Sequence, residues 1–360
     1  MPVRPVPTDG PINLGILYPT VWFGDPDALA REIETVQSID PRIAVTVETY
    51  DEPHELRTER GRIGGAEAAR GLAPALTDAQ RAMFERVDAV VTLDLPFDVG
   101  AVAPKLGWVQ GVGAGSAQLQ SAGLAEAGIR LTTSAGSNAV AIAEFVIGRL
   151  LQERKRFREL DALQQVHNWD ALYGSELAGA TVGLIGLGAI NAAVAARLAP
   201  FGVTVLASRR SARPGATAPD VAELFPTDQL HDMLGRCDTI VSAVPETPET
   251  IGLIDAAAIA AMKPGAFFCN VGRGTLLDED ALIDAMRRGH LRGAALDVAS
   301  IEPLPSDHPL WDAPNLYLSY HCSSSPAALF VNLHRLWRDN IKRWLSGEPL
   351  RNEVDLERGY

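Results

Sequence analysis

The sequence predicts an α/β protein built from two doubly wound parallel-sheet units. Three observations carry that prediction. Short apolar strands alternate with helical patterns through the first third of the chain, and a second series of the same kind begins at Thr181. Glycine-bearing turns follow strands in both series, at Gly111 to Gly115 and at Gly186 to Gly188. Strand and helix alternating in this way give a parallel sheet with helices on both faces. A chain of 360 residues with 47% apolar and 21% charged side chains is long enough for two such cores.

The elements follow in order. Residues 1–10 carry three prolines and read as a loose lead-in. Residues 13–18 form a buried strand ending at Pro19-Thr20, and residues 44–49 alternate as a second strand. Residues 87–93 are a third strand. Residues 108–110 are a short fourth that runs into Gly111-Val112-Gly113-Ala114-Gly115. The stretch from Glu55 to Leu76 is charged and rich in glycine and alanine, and its pattern fits a helix, a surface loop or an insertion. Ser137-Asn138 caps a helix that begins at Ala139. That helix is apolar nearly all round, which predicts burial between elements or subunits. The second series places strands near 181–185, 203–207, 238–243, 266–271, 293–297 and 316–319.

Composition narrows the function. A net charge of −13 repels nucleic acid and anionic membrane as general partners. Cys237, Cys269 and Cys322 show neither metal-ligand spacing nor a disulfide framework, so no metal is expected. The first thirty residues lack a basic-then-apolar signal pattern, and the apolar run from Ala139 is too short to span a bilayer. A cytoplasmic location is the expectation.

Residues 181–185 lead into Gly186-Leu187-Gly188-Ala189-Ile190-Asn191, then a helix from Ala192 to Leu198 and a second strand. This is the context that gives a glycine fingerprint meaning. Gly186 permits a tight turn, Gly188 lets backbone approach a pyrophosphate, and the helix N-terminus offers free N–H groups to that anion. Asn191 stands where the third glycine is usual, a position that serves helix–strand packing. The second strand ends at Ser208, followed by Arg209 and Arg210. No carboxylate is there to repel a 2′-phosphate, and two guanidiniums can bind one, so NADP(H) is favoured with NAD(H) as the alternative.

From about residue 106 onward the chain resembles the D-isomer-specific 2-hydroxyacid dehydrogenase family. The resemblance is carried by the 108–115 segment, Val140 to Glu144, the fingerprint loop, Pro245-Glu246-Thr247-Pro248-Glu249-Thr250 and Met262 to Ala266. It continues through Asn270-Val271-Gly272-Arg273-Gly274, Gly293 to Val298 with Asp297, Glu302-Pro303-Leu304, Asn315 to His321, and the tail from Gly347 to Asp355. Within the family the closest flavour is that of NADP-dependent glyoxylate and hydroxypyruvate reductases. The resemblance implies a Rossmann cofactor domain, residues 133–322, inserted into a flavodoxin-like substrate domain of residues 1–132 plus 323–360. It implies an active site in the cleft between them, and a homodimer.

It further implies hydride transfer between a nicotinamide cofactor and C2 of a 2-keto or D-2-hydroxy acid. Arg273, Glu302 and His321 form the implied catalytic set, and the chemistry needs those types. A histidine can exchange the hydroxyl proton near neutral pH, a carboxylate can stabilise its imidazolium, and an arginine can bind substrate carboxylate and polarise the keto oxygen. Val112, Gly113, Ala114 and Gly115 resemble a carboxylate cradle, working with Arg273 on the substrate. Pro245, Thr250, Val271 and Gly272 match positions flanking the cofactor, and Asp297 matches one that holds the nicotinamide carboxamide or else caps a strand. Tyr320 departs from a usual proline, and Cys322 to Ser325 are more polar than the usual glycine-rich turn. The rival reading is a nicotinamide-binding regulator on the same fold.

Overall fold

The computed structural model describes residues 4–19, 26–61, 64–213 and 215–356. Thr20, at the end of the first expected strand, and the start of the lead-in lie outside these residues. The chain divides into two compact units, Met1–Ser137 with Leu329–Tyr360, and Asn138–Ala328.

The first unit holds β1 (Ile12–Leu17), β2 (Ile43–Glu48), β3 (Ala89–Thr92), β4 (Trp108–Gly111) and β5 (Arg130–Thr132). They pair in parallel, in the order β2-β1-β3-β4-β5. β3 and β4 are buried along their whole length, as expected of central strands covered on both faces. One face is covered by the C-terminal helix Pro326–Ser346, whose Leu333, Trp337, Ile341 and Trp344 are buried. Trp337 and Trp344 pack against Trp108 with tilted rings, centroids 4.8 and 5.9 Å apart. Buried Asn340 ties this helix to the sheet, donating to Gln110 Oε1 at 3.1 Å.

The unassigned stretch 55–76 contains the helix His54–Gly61 and a 3-10 turn at Arg70–Leu72. Leu56 is the one large apolar side chain this helix buries, so apolar periodicity is nearly absent from it. Ion pairs anchor it instead. Arg57 pairs with Asp94 at 2.7 Å, and Arg60, almost fully buried, pairs with buried Glu52.

The second unit holds β6 (Thr181–Ile185), β7 (Thr204–Ser208), β8 (Glu223–Phe225), β9 (Thr239–Ser242), β10 (Ala266–Asn270), β11 (Leu291–Leu296) and β12 (Leu316–Leu318). They form one parallel sheet in the order β12-β11-β10-β9-β6-β7-β8. The chain order reverses between β6 and β9, which opens a crevice at the carboxyl edge beside the glycine loop. The helix Ala139–Arg154 buries Ala139, Ala143, Val146 and Leu150, a helical stripe that packs with Val194, Ala195 and Leu198 of the helix Ala189–Leu198. Its other face is outward, with Val140 half exposed. No helix among the described residues is long and apolar enough to cross a membrane.

Candidate active site

At the end of β6, Gly186 turns the chain with φ +78°, and a β-carbon there would collide with Val244. Both facts demand glycine. Gly188 is different, because a β-carbon on it would meet nothing within 4 Å. It is the N-cap of the helix Ala189–Leu198, which starts three residues earlier than the sequence pattern suggested. Ala189, Ile190 and Asn191 therefore form the first helical turn. Among the described residues, no hydrogen bond is made by the amides of Gly188, Ala189 and Ile190. Open space over a glycine and unpaired amides at a helix start suit a pyrophosphate.

Asn191 is fully buried, and its side-chain amide donates to the carbonyls of Ile185 (3.0 Å) and Gly186 (2.6 Å). It pins the turn from beneath. Ser208 is buried at the end of β7, where its carbonyl accepts the Gly186 amide at 3.1 Å, while Arg209 and Arg210 are exposed. Pro245 lies in an exposed loop after β9, closed by the Thr250 hydroxyl, which donates to the Pro245 carbonyl at 2.7 Å.

Beyond β10 the chain turns through Val271 and Gly272 to Arg273. Buried Asn270 shapes the turn, since its Oδ1 accepts the Gly272 amide (3.0 Å) and its Nδ2 donates to the Arg273 carbonyl (2.9 Å). A β-carbon on Gly274 would strike the backbone of Ala299, so this turn lies directly against the loop that carries Glu302. Glu302 accepts the Ala299 amide at 3.0 Å on Oε1. Its Oε2 meets Nδ1 of His321 at 2.8 Å. Burial raises the Glu302 carboxyl, but the His321 and Ala299 hydrogen bonds and the Arg273 charge outweigh it and hold its pKa below the ordinary value. With Nδ1 on Glu302, the His321 Nε2 makes no hydrogen bond to any described residue.

His321 follows β12 in the left-handed region, φ +54°. Its turn is bound to Asp297, which accepts from Ser319 Oγ (2.8 Å), the Cys322 amide (3.0 Å) and the Ser323 amide (3.1 Å). The Glu302 loop has a second support, Glu279, which accepts from the Ser300 amide and hydroxyl at 2.7 Å each. Tyr320 is largely exposed, its ring 6.2 Å from that of Trp311. Thus Glu302 and His321 touch, and the charge of Arg273 acts on Glu302, all within one unit. Asn270 and Glu279 were not singled out from the sequence. Both act on backbone amides, which no spacing of residue types announces.

In the first unit, Val112 is buried and its amide donates to Thr92 at 2.9 Å, so it belongs to the sheet ladder. Gly113, Ala114 and Gly115 follow, and their amides have no partner among the described residues. Ser134 donates its amide to the Gly113 carbonyl at 2.9 Å and steadies the loop. No cluster of three or more His, Cys, Asp or Glu able to hold a metal occurs among the described residues.

Comparison with known proteins agrees with this architecture. Residues 147–323 match the NAD-binding domain model of the D-isomer-specific 2-hydroxyacid dehydrogenases. A D-3-phosphoglycerate dehydrogenase of Mycobacterium leprae is 36% identical over 275 residues, covering 76% of this chain and 51% of that protein. The chain thus spans about half the length of the phosphoglycerate dehydrogenases it matches. A glyoxylate/hydroxypyruvate reductase A of an Enterobacter species is 30% identical over 219 residues, 60% of this chain and 68% of that one. The crystal structure of an NADPH-dependent glyoxylate/hydroxypyruvate reductase from Sinorhizobium meliloti, in complex with NADP and sulfate, superposes with a TM-score of 0.72 at 26% identity, covering 97% of this chain and all of that one. The chain belongs to the D-isomer-specific 2-hydroxyacid dehydrogenase family.

Proposed function

We propose that this chain is an NADP(H)-dependent 2-keto acid reductase, or D-2-hydroxyacid dehydrogenase in the reverse direction. The observation that carries the reading is the 2.8 Å contact of His321 Nδ1 with Glu302, in the unit that also holds the glycine loop. In this proposal residues 133–322 bind cofactor, and residues 1–132 with 323–360 bind substrate. Gly186 and the helix start from Gly188 to Asn191 hold the pyrophosphate. Ser208, Arg209 and Arg210 take the 2′-phosphate, because β7 ends without a carboxylate. Pro245, Thr250, Val271 and Gly272 flank the bound cofactor.

When bound, the nicotinamide supplies the hydride that adds to C2. The Arg273 guanidinium binds the substrate carboxylate; in the substrate unit the amides of Gly113 to Gly115 are the anion cradle that this reading calls for. Arg273 also polarises the keto oxygen. His321, protonated and held by Glu302, gives the Nε2 proton to that oxygen as the C–H bond forms. In oxidation the same nitrogen takes the proton back. The first substrates to try are glyoxylate and hydroxypyruvate.

The test is a matrix of NADPH and NADH against a panel of 2-keto acids, followed by cofactor absorbance. Turnover with NADPH preferred over NADH is expected. His321→Ala is expected to lose about 10²–10⁴-fold in kcat with cofactor affinity kept. Wild-type turnover by that variant would remove His321 from the chemistry.

A further inference from the structure

The segment that leaves β3 is held by side chains. Three successive carbonyls accept from them: Leu93 from Gln118 Nε2 (2.7 Å), Asp94 from Thr92 Oγ1 (2.5 Å) and Leu95 from Arg60 Nη1 (2.6 Å). Arg60 is 2% exposed and reaches further. Its Nη1 also donates to Glu52, which follows β2. Its Nε donates to Ser121 Oγ at 2.8 Å, at the end of the short helix Ala117–Gln120 that follows the 113–115 loop. Its guanidinium lies 4.1 Å from the centre of the Phe97 ring, and that of Arg70 lies 4.7 Å from the same ring. One buried guanidinium therefore touches the segments that leave β2, β3 and β4. Such burial is costly. Arg60 Nη2 is buried with no hydrogen-bond partner among the described residues, and a buried ion pair is often no more stabilising than apolar side chains of like volume. Stability alone does not account for it.

The place of these segments suggests its use. In this sheet the chain order reverses between β1 and β3, which puts a crevice at the carboxyl ends of those strands. Thr92 pairs with Gly111, so the segments after β3 and β4 leave the sheet side by side, about 5 Å apart. Along the first of them Leu93 and Phe97 are half-buried, while Leu95 and Pro96 are buried. The charged neighbours are paired, Arg57 with Asp94 and Arg70 with Asp98, so apolar side chains set the character of this segment. We propose that Arg60 is a positioning residue that sets substrate specificity. It holds the apolar segment Leu93 to Phe97 at a fixed distance from the Gly113 to Gly115 loop, and so fixes which substituent on C2 of a 2-keto acid fits beside that loop. The proposal rests on the reading of the first unit as the substrate unit. A misplacement of about 1 Å costs about 10²-fold in rate, which makes such a fixture consequential.

The test combines Arg60→Met with Glu52→Gln, so that no charge is left buried alone. It reads kcat/KM across the 2-keto acid panel, from glyoxylate, with only hydrogen on C2, to acids with larger substituents. The double variant is expected to melt within about 5 °C of the parent. Its NADPH dissociation constant stays within about twofold, since no cofactor contact is lost. For glyoxylate kcat/KM stays within about threefold, and for substituted acids it falls at least about tenfold, because only they need the fixed segment. A merely structural role would lower every acid by the same factor. Hydrogen exchange of the 94–98 amides speeds up while that of the second unit is unchanged. Arg60→Lys keeps a charge for Glu52 but lacks the fork that spans Leu95 and Ser121, so it shifts the preference in the same direction by less. Equal losses on every acid, or unchanged exchange at 94–98, overturn the proposal and leave the reductase reading in place. A parent that reduces no acid of the panel overturns the reductase reading, and the specificity role falls with it.

Discussion

At the scale of single residues, Glu302 is the side chain whose chemistry is most constrained. It is opposed by burial and favoured by three groups: His321, the Ala299 amide and Arg273. The net effect lowers its pKa, so the sign of its linkage follows. A carboxylate depressed in the folded state adds stability above its unfolded pKa and loses it as pH falls through the folded value. Glu302→Gln should therefore melt lower than the parent at pH 7, with the gap closing below about pH 4.3, where an unfolded glutamate is itself protonated. A gap of constant size down to pH 3 would mean that the charge is not what holds the pair. The same variant is expected to lose about 10²-fold in kcat, since the imidazolium loses its counter-charge. How far this site was legible depends on residue type. Arg273, Glu302 and His321 are legible through the family motifs that carry them, which come in order along the chain. Asn191 reads from sequence as a flaw in a glycine pattern. In the fold it is a buried pin under that turn, because its amide reaches two carbonyls that a glycine would leave alone.

At the scale of elements, apolar pattern located ten of the strands to within two residues. β5 and β8 escaped; each has only three residues and lies at a sheet edge, as does β12, which was found. The helix His54–Gly61 escaped for another reason: its attachment is ionic. Arg60 and Glu52 are both nearly inaccessible, and Arg60 also stacks over Phe97 at 4.1 Å. Burial is the largest influence on Glu52, and although Arg60 opposes it, the carboxyl is pushed up to about 7. A folded pKa above the unfolded one gives stability that is complete below about pH 4.3 and is lost as pH rises through 7. Urea unfolding should then show wild-type stability declining between pH 5 and pH 8.5, by up to about 1.4 kcal/mol per pH unit at the steepest point. The decline should be absent from Glu52→Gln. Parallel pH profiles for the two proteins would show that the Arg60 charge fully compensates burial.

At the scale of the whole molecule, two separate parallel sheets each have their own core. The first unit gathers Trp108, Trp337 and Trp344 on one face of its sheet and Phe84, Val90 and Leu131 on the other. The second gathers Phe268, Leu282 and Leu310 on one side and Val146, Val194 and Phe267 on the other. The first unit is assembled from both ends of the chain, so one face of its sheet stays uncovered until the C-terminal helix returns. The glycine loop, Ser208 and the His321–Glu302 pair all belong to the second. A ligand that binds only one cooperative unit raises the stability of that unit, by about 2.7 kcal/mol at a hundred times its dissociation constant. Calorimetry of the full chain is therefore expected to resolve two transitions, of which NADPH shifts one upward. Limited proteolysis during the scan should assign the shifted transition to residues 138–328. If NADPH moves both transitions equally, or a single transition persists at every concentration, the two cores unfold as one and the cofactor's stabilising effect is shared across the chain.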